Sequence, residues 1–206
     1  MIINEIFSTV LQIVVFSLIP FIAYLFNRKK WNSFLQYVGL KRSNTKANLY
    51  AAASSLIIGL PFLILCIANT EFREILFHPE SMTGKFRAMG FSATSLFLVL
   101  LTAILKTALS EEIFFRGFLA KRLIIWLGFQ SGNLLQAIIF GVIHTLIFLS
   151  ISSNIFFLIL IFIFPAIGAY VMAYINEKMA EGSIIPSWIS HALANIIAYS
   201  SIGFLL

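Results

Sequence analysis

The sequence predicts an all-α protein: a polytopic bundle of about six to eight membrane helices enclosing a polar cavity open to the cytoplasm. Three observations carry this. First, 60% of the 206 residues are hydrophobic, 22 of them Phe, and only 11% are charged, far outside the norms of soluble domains. Second, several uncharged runs approach or exceed the roughly 18–20 residues that span a bilayer core. Third, ionisable and amide side chains interrupt the apolar background at three places: Glu111-Glu112 with Arg116, His144, and His191 with Asn195. A charge at membrane depth costs roughly 2.5–3.5 kcal/mol, so such groups persist where they have partners or a chemical role.

In chain order the apolar runs place spans at 6–26, 47–68, 91–109, 134–149, 155–175 and 184–204. The first lacks a basic region ahead of it and a small-residue cleavage site, so it reads as a retained span. A seventh element, 112–127, is apolar and helix-length but carries Arg116, Lys121 and Arg122. It fits an interfacial helix, a re-entrant one, or a continuation of the third span. Pro20, Pro61 and Pro165 fall inside spans, where they kink a helix, whereas Pro186 falls in a first turn, where its missing N–H costs nothing. The chain reads as a single membrane domain over 1–206. Two N-terminal spans and their loops occupy 1–90, and a core carrying the polar motifs occupies 91–206.

Loop charge orients the bundle. Arg28, Lys29, Lys30, Lys41, Arg42 and Lys46 share the first loop with no acid, whereas Arg73, Lys85 and Arg87 in the second are balanced by Glu71, Glu74 and Glu80. Basic loops stay in the cytoplasm, so the N-terminus is expected outside and the polar site on the cytoplasmic side. The net charge of +6 follows these loops and does not indicate nucleic-acid binding; the expected surroundings are lipid. Cys66, the only cysteine, excludes an intrachain disulfide and reads as a small packing residue. Lys106 is expected to snorkel to the cytoplasmic interface, and His78 to be solvated.

The polar residues suit hydrolysis. Glu112 and Arg116 are four apart, so they share a helix face in the favourable order. Glu111 points roughly 100° away, which lets the carboxylates divide roles: Glu112 paired, Glu111 facing the cavity as general base. His191 and Asn195 are also four apart and can direct two hydrogen bonds at one oxygen, as an oxyanion hole does. The zinc-peptidase signature His-Glu-x-x-His is absent. Glu111, His144 and His191 could still form a three-ligand site for a divalent metal such as zinc; water activation by Glu111 and His144 with no cofactor is the preferred reading.

At these residues the chain resembles the CAAX-protease and bacteriocin-processing (CPBP, or Abi) family of membrane endopeptidases. The family's Glu-Glu-x-x-x-Arg stands here as Glu111-Glu112-Ile113-Phe114-Phe115-Arg116, its Phe-x-x-x-His as Phe140 to His144, and its His-x-x-x-Asn as His191 to Asn195. Each motif is short, but all three occur in order over about the last hundred residues. The resemblance implies a cavity open to the cytoplasm and cleavage of a peptide or lipidated protein near its membrane-anchored end. It implies that Glu111 and His144 activate water, that His191 and Asn195 stabilise the oxyanion, and that Glu112 and Arg116 shape the site. Small size and an Ile-, Phe-, Asn- and Lys-rich composition point to a bacterial cell-membrane member, for which peptide maturation or bacteriocin immunity is expected. The competing classes are a transporter using the same groups as an ion relay, disfavoured by the lack of a repeated pattern of broken spans, and a non-catalytic immunity protein, disfavoured by the intact Glu111 beside two histidines.

Overall fold

The computed structural model describes residues 1–27 and 33–206; Arg28, Lys29 and Lys30 of the first loop lie outside them. The described residues form helices and no strands, and six helices are long and apolar enough to cross a membrane. These are α1 (Ile2–Asn27), α3 (Thr45–Ala68), α6 (Ala93–Leu127), α7 (Phe129–Leu149), α8 (Ile155–Met179) and α9 (Ile185–Leu205). Shorter helices α2 (Phe34–Tyr37), α4 (Thr70–Leu76) and α5 (Met82–Met89) sit in the connections. The protein is an integral multi-pass membrane protein.

Helix starts follow local capping chemistry. Asn44, Asn69 and Asn154 each accept a backbone N–H of the first turn, of Ala47, Phe72 and Phe157 respectively, and Ser92 and Ser95 form a reciprocal capping box at the start of α6. Gly128, with φ +78°, is the single-residue break between α6 and α7, a conformation that glycine adopts without a Cβ penalty. Pro186 lies in the first turn of α9.

The seventh element is not separate: it continues the third span, and α6 is one helix of 35 residues. Hydropathy broke there because Arg116, Lys121 and Arg122 fall within 112–127, yet each finds a partner. Arg116 pairs with Glu112, Lys121 with Glu177 at 2.5 Å and the Gly182 carbonyl at 2.8 Å, and the Arg122 guanidinium stacks over Tyr37. Glu111 therefore sits near the middle of α6, roughly 24 Å from its C-terminal end at 1.5 Å per residue, deeper than the 109 boundary implied. The next span, α7, begins at Phe129, five residues ahead of the expected 134.

The bundle is built around α6 and α9. One face of α6 packs on α1, another on α9; α9 also packs on α3, and α7 pairs with α8. The α7–α8 approach is set by Gly141, where a Cβ would lie 2.7 Å from the Phe162 carbonyl oxygen. It is reinforced by the fully buried Asn133 and Gln136, whose amides donate to the Tyr170 and Ala169 carbonyls. The other face of α1 is apolar and exposed, as a lipid-facing helix requires.

Segment 33–44 braces one end of the bundle. The Ile184 amide donates to the Gly39 carbonyl at 2.9 Å, the Ser183 hydroxyl to the Lys41 carbonyl at 2.7 Å, and the Asn44 amide to the Met179 carbonyl at 2.7 Å. Gly117 lies against Val38 closely enough that a Cβ would stand 2.6 Å from its carbonyl oxygen. The α8–α9 connection and the middle of α6 are thereby tied to a common support.

Candidate active site

Two stretches of α6, Leu101–Leu109 and Phe115–Ala120, are π-helical. A π-turn reaches back five residues, so carbonyls at its junctions with α-helix lose their usual partners, and such segments recur at functional sites. Side chains bond to several carbonyls of the first segment. Trp188 Nε1 donates to Ile104 O at 2.7 Å, Gln12 Nε2 to Lys106 O at 2.8 Å, Thr107 Oγ1 to Thr102 O at 2.8 Å, and Ser110 Oγ also donates to Lys106 O. Glu111 and Glu112 lie in the short α-helical stretch between the two π segments.

Glu112 is the centre of the polar cluster and is fully buried. Its Oε1 lies 3.1 Å from Arg116 Nη1 and 2.9 Å from His191 Nδ1. The pairing with Arg116 follows from the sequence spacing; the bond to His191, 79 residues away, does not. A carboxylate only accepts, so His191 carries its proton on Nδ1 and turns Nε2 toward Glu111, whose Oε2 is 3.8 Å away. Neither Glu111 Oε2 nor Glu112 Oε2 has a hydrogen-bond partner among the described residues.

Phe140 joins its own motif, the second, to the other two. Arg116 Cζ stands 4.0 Å from its ring centroid, the His144 ring 4.3 Å and the His191 ring 6.1 Å, edge-on. His144 thus approaches from α7 beside Phe140. Its Nδ1 lies 2.9 Å from the Phe140 carbonyl. A carbonyl cannot donate, so the proton sits on Nδ1 and the Nε2 lone pair is free.

Asn195 does not bond to His191. Its Nδ2 donates to Thr107 Oγ1 at 2.9 Å, one turn before Glu111. The polar face of α9 is also longer than the His-x-x-x-Asn pair: Ser187, His191, Asn195 and Tyr199 repeat every four residues. Ser187 is held by Asn176, whose amide donates to its hydroxyl at 2.7 Å. Tyr199 packs on Phe86.

The family's sequence model for type II CAAX prenyl endopeptidases, Rce1-like, matches residues 93–197, a little over half of the chain and a stretch that contains every residue of this cluster. The chain belongs to the Rce1-like family. No curated protein and no solved structure matches it. Membership makes this a CAAX-type membrane peptidase, acting on a peptide or prenylated protein.

Within this Rce1-like peptidase, Thr107, Ser187, Asn176 and Tyr199 are polar neighbours of the cluster that motif reading passed over. The four-residue repeat along α9 would have found Ser187 and Tyr199, and the hydroxyl four residues before Glu111 would have flagged Thr107. Lys106 does not snorkel: its Nζ lies 2.6 Å from Glu5 Oε1 on α1, 101 residues away. Glu111, His144 and His191 have the donor chemistry of a metal site, and no group of three His, Cys, Asp or Glu side chains placed to hold an ion is found among the described residues.

Proposed function

We propose that the protein is an intramembrane endopeptidase in which Glu111 activates water directly and the remaining polar residues orient and stabilise. The observation that carries this reading is the His191 imidazole held between two carboxylates, Nδ1 on Glu112 and Nε2 facing Glu111. That arrangement separates a fully buried carboxylate, already paired with Arg116 and His191, from a partly exposed one that His191 approaches only to 3.8 Å.

In the proposed reaction, water gives a proton to Glu111 as its oxygen adds to the scissile carbonyl carbon. His144, with its Nε2 lone pair free, accepts the water's second hydrogen bond and aligns it. The carbonyl π-pair moves onto oxygen, where Asn195 donates an N–H; His191 in its protonated form donates from Nε2. Collapse of the tetrahedral species breaks the C–N bond, and the leaving amine takes the proton back from Glu111. Preorganised donors of this kind each contribute on the order of 10²–10³-fold in rate. Glu112 and Arg116 shape the site by fixing the His191 tautomer and ring plane. The substrate we infer is a peptide or lipidated protein cut near its anchored end, by CAAX-type processing or, in a bacterial cell membrane, by maturation of a bacteriocin-like peptide or immunity to one.

The test is cleavage of a quenched-fluorescent prenylated CAAX-type peptide by purified protein in proteoliposomes. Wild type should cleave, and dialysis against a strong zinc chelator should leave the rate unchanged. Loss of cleavage on chelation, restored by added zinc, would overturn direct activation by Glu111. Absence of cleavage of both prenylated and bacteriocin-precursor peptides would overturn the peptidase reading.

A further inference from the structure

Asn195 can serve an oxyanion only if its amide is turned the right way round. Nitrogen and oxygen of an amide have nearly the same shape, so something must choose between the two orientations. Thr107 makes that choice. Its Oγ1 lies 2.8 Å from the Thr102 carbonyl and 3.4 Å from that of Ala103. Both are pure acceptors, so the single hydroxyl proton points to them. The π-helical turn makes this possible, because Thr102 is five residues back and its carbonyl is within reach of the side chain. The Thr107 oxygen is then left with lone pairs toward α9, where it meets Asn195 Nδ2 at 2.9 Å and the Tyr199 hydroxyl. A flipped Asn195 would set oxygen against oxygen. One amide N–H is therefore spent on Thr107, and the other is used by no described residue.

We propose that Thr107 is a positioning residue that orients the Asn195 amide, NH2 toward α6, so that its second N–H is presented to the oxyanion. This rests on the reading of Asn195 as an oxyanion donor. Thr107 itself does not touch the reacting atoms.

Thr107→Val keeps the shape and removes the acceptor; Thr107→Ser keeps the hydroxyl. With the prenylated CAAX-type peptide in proteoliposomes, Thr107→Val should lower kcat about 10²-fold, the size of loss that misplacing a stabilising group brings, with KM within about twofold. Thr107→Ser should restore most of the rate. In an Asn195→Ala background Thr107→Val should cost nothing further, because the two residues act through one bond. Wild-type kcat in Thr107→Val, or losses that multiply in the double variant, would overturn the positioning role and leave the peptidase reading standing. Full cleavage by Asn195→Ala would overturn the oxyanion assignment and this proposal with it. A second measurement needs no turnover: in protein labelled with 15N-asparagine, the Asn195 side-chain resonances, assigned by their loss in Asn195→Ala, should shift in Thr107→Val and stay near wild type in Thr107→Ser. Unchanged resonances in Thr107→Val would overturn the bond itself.

Discussion

Glu111 and Glu112 are adjacent in sequence and differ in every physical respect that matters. Glu112 is fully buried and shares one oxygen between Arg116 and His191, whereas Glu111 is partly exposed and its nearest approach to His191 is 3.8 Å. Substitution should separate the two. Glu111→Gln preserves volume and removes the base, so cleavage should fall on the order of 10²–10⁴-fold while yield and thermal unfolding in detergent stay near wild type; full cleavage by this variant would end the assignment of Glu111. Arg116→Ala works the other way. It strands the buried Glu112 carboxylate with only His191 and Ser187 to meet it, and breaking a buried pair costs about 3–5 kcal/mol. The expected readout is a large drop in unfolding temperature and folded yield, and a variant as stable as wild type would show that the pair carries no structural weight.

At the scale of elements, the site depends on how closely helices approach. Gly117, next to Arg116, sits against the Val38 carbonyl, and a Cβ there would meet its oxygen at 2.6 Å. Backbone cannot swing aside as a side-chain end can, so Gly117→Ala should force α6 and the 33–44 segment apart. Overpacking of this kind costs about 1–3 kcal/mol, more than the roughly 1 kcal/mol that alanine returns in helix propensity. Gly59 on α3 is the control, because nothing lies within 4 Å of a Cβ at that position; Gly59→Ala should be neutral or slightly stabilising. Thermal unfolding of both variants in one detergent decides it, and equal stabilities would mean that the Gly117 contact yields easily. The two π segments act on the same scale. Carbonyls of the first segment accept from Gln12 of α1 and Trp188 of α9, so this stretch of α6 also docks its neighbours.

For the whole molecule, charge divides the two ends of the bundle. One end gathers the 33–44 segment with Lys41 and Arg42, the α6 residues Lys121 and Arg122, and Lys178 beside Phe129. The other gathers α4 and α5, the 150–154 connection tied to Glu71 through Asn154 at 2.6 Å, and the C-terminus packed on Phe86 through Phe204. We propose from loop charge that the first end faces the cytoplasm. Cysteine labelling in a Cys66→Ala background tests this. Ser81 is a poor reporter because its side chain is buried and donates to the Leu76 carbonyl; the exposed Gln36 and Ala88 serve instead. An impermeant reagent on intact cells should modify Ala88→Cys and spare Gln36→Cys. The reverse pattern would invert the topology and the side from which peptides enter.

What the sequence by itself determined is what local chemistry controls. Apolar length decides that helices span, Asn44 and Asn154 decide where two of them begin, and spacings of four put Glu112 with Arg116 and His191 with Asn195 on common faces. The three motifs also sufficed to place the chain near its family. Only the tertiary structure decided which groups meet: His191 with Glu112, Asn195 with Thr107, Lys106 with Glu5, at separations of 79, 88 and 101 residues. The length of α6 belongs to the same class, because whether Lys121 and Arg122 can stay within a membrane helix depends on partners supplied elsewhere in the fold. A hydropathy window counts a charge as a cost; packing decides whether that charge finds a partner, and for Arg116 that partner, Glu112, is also a member of the site.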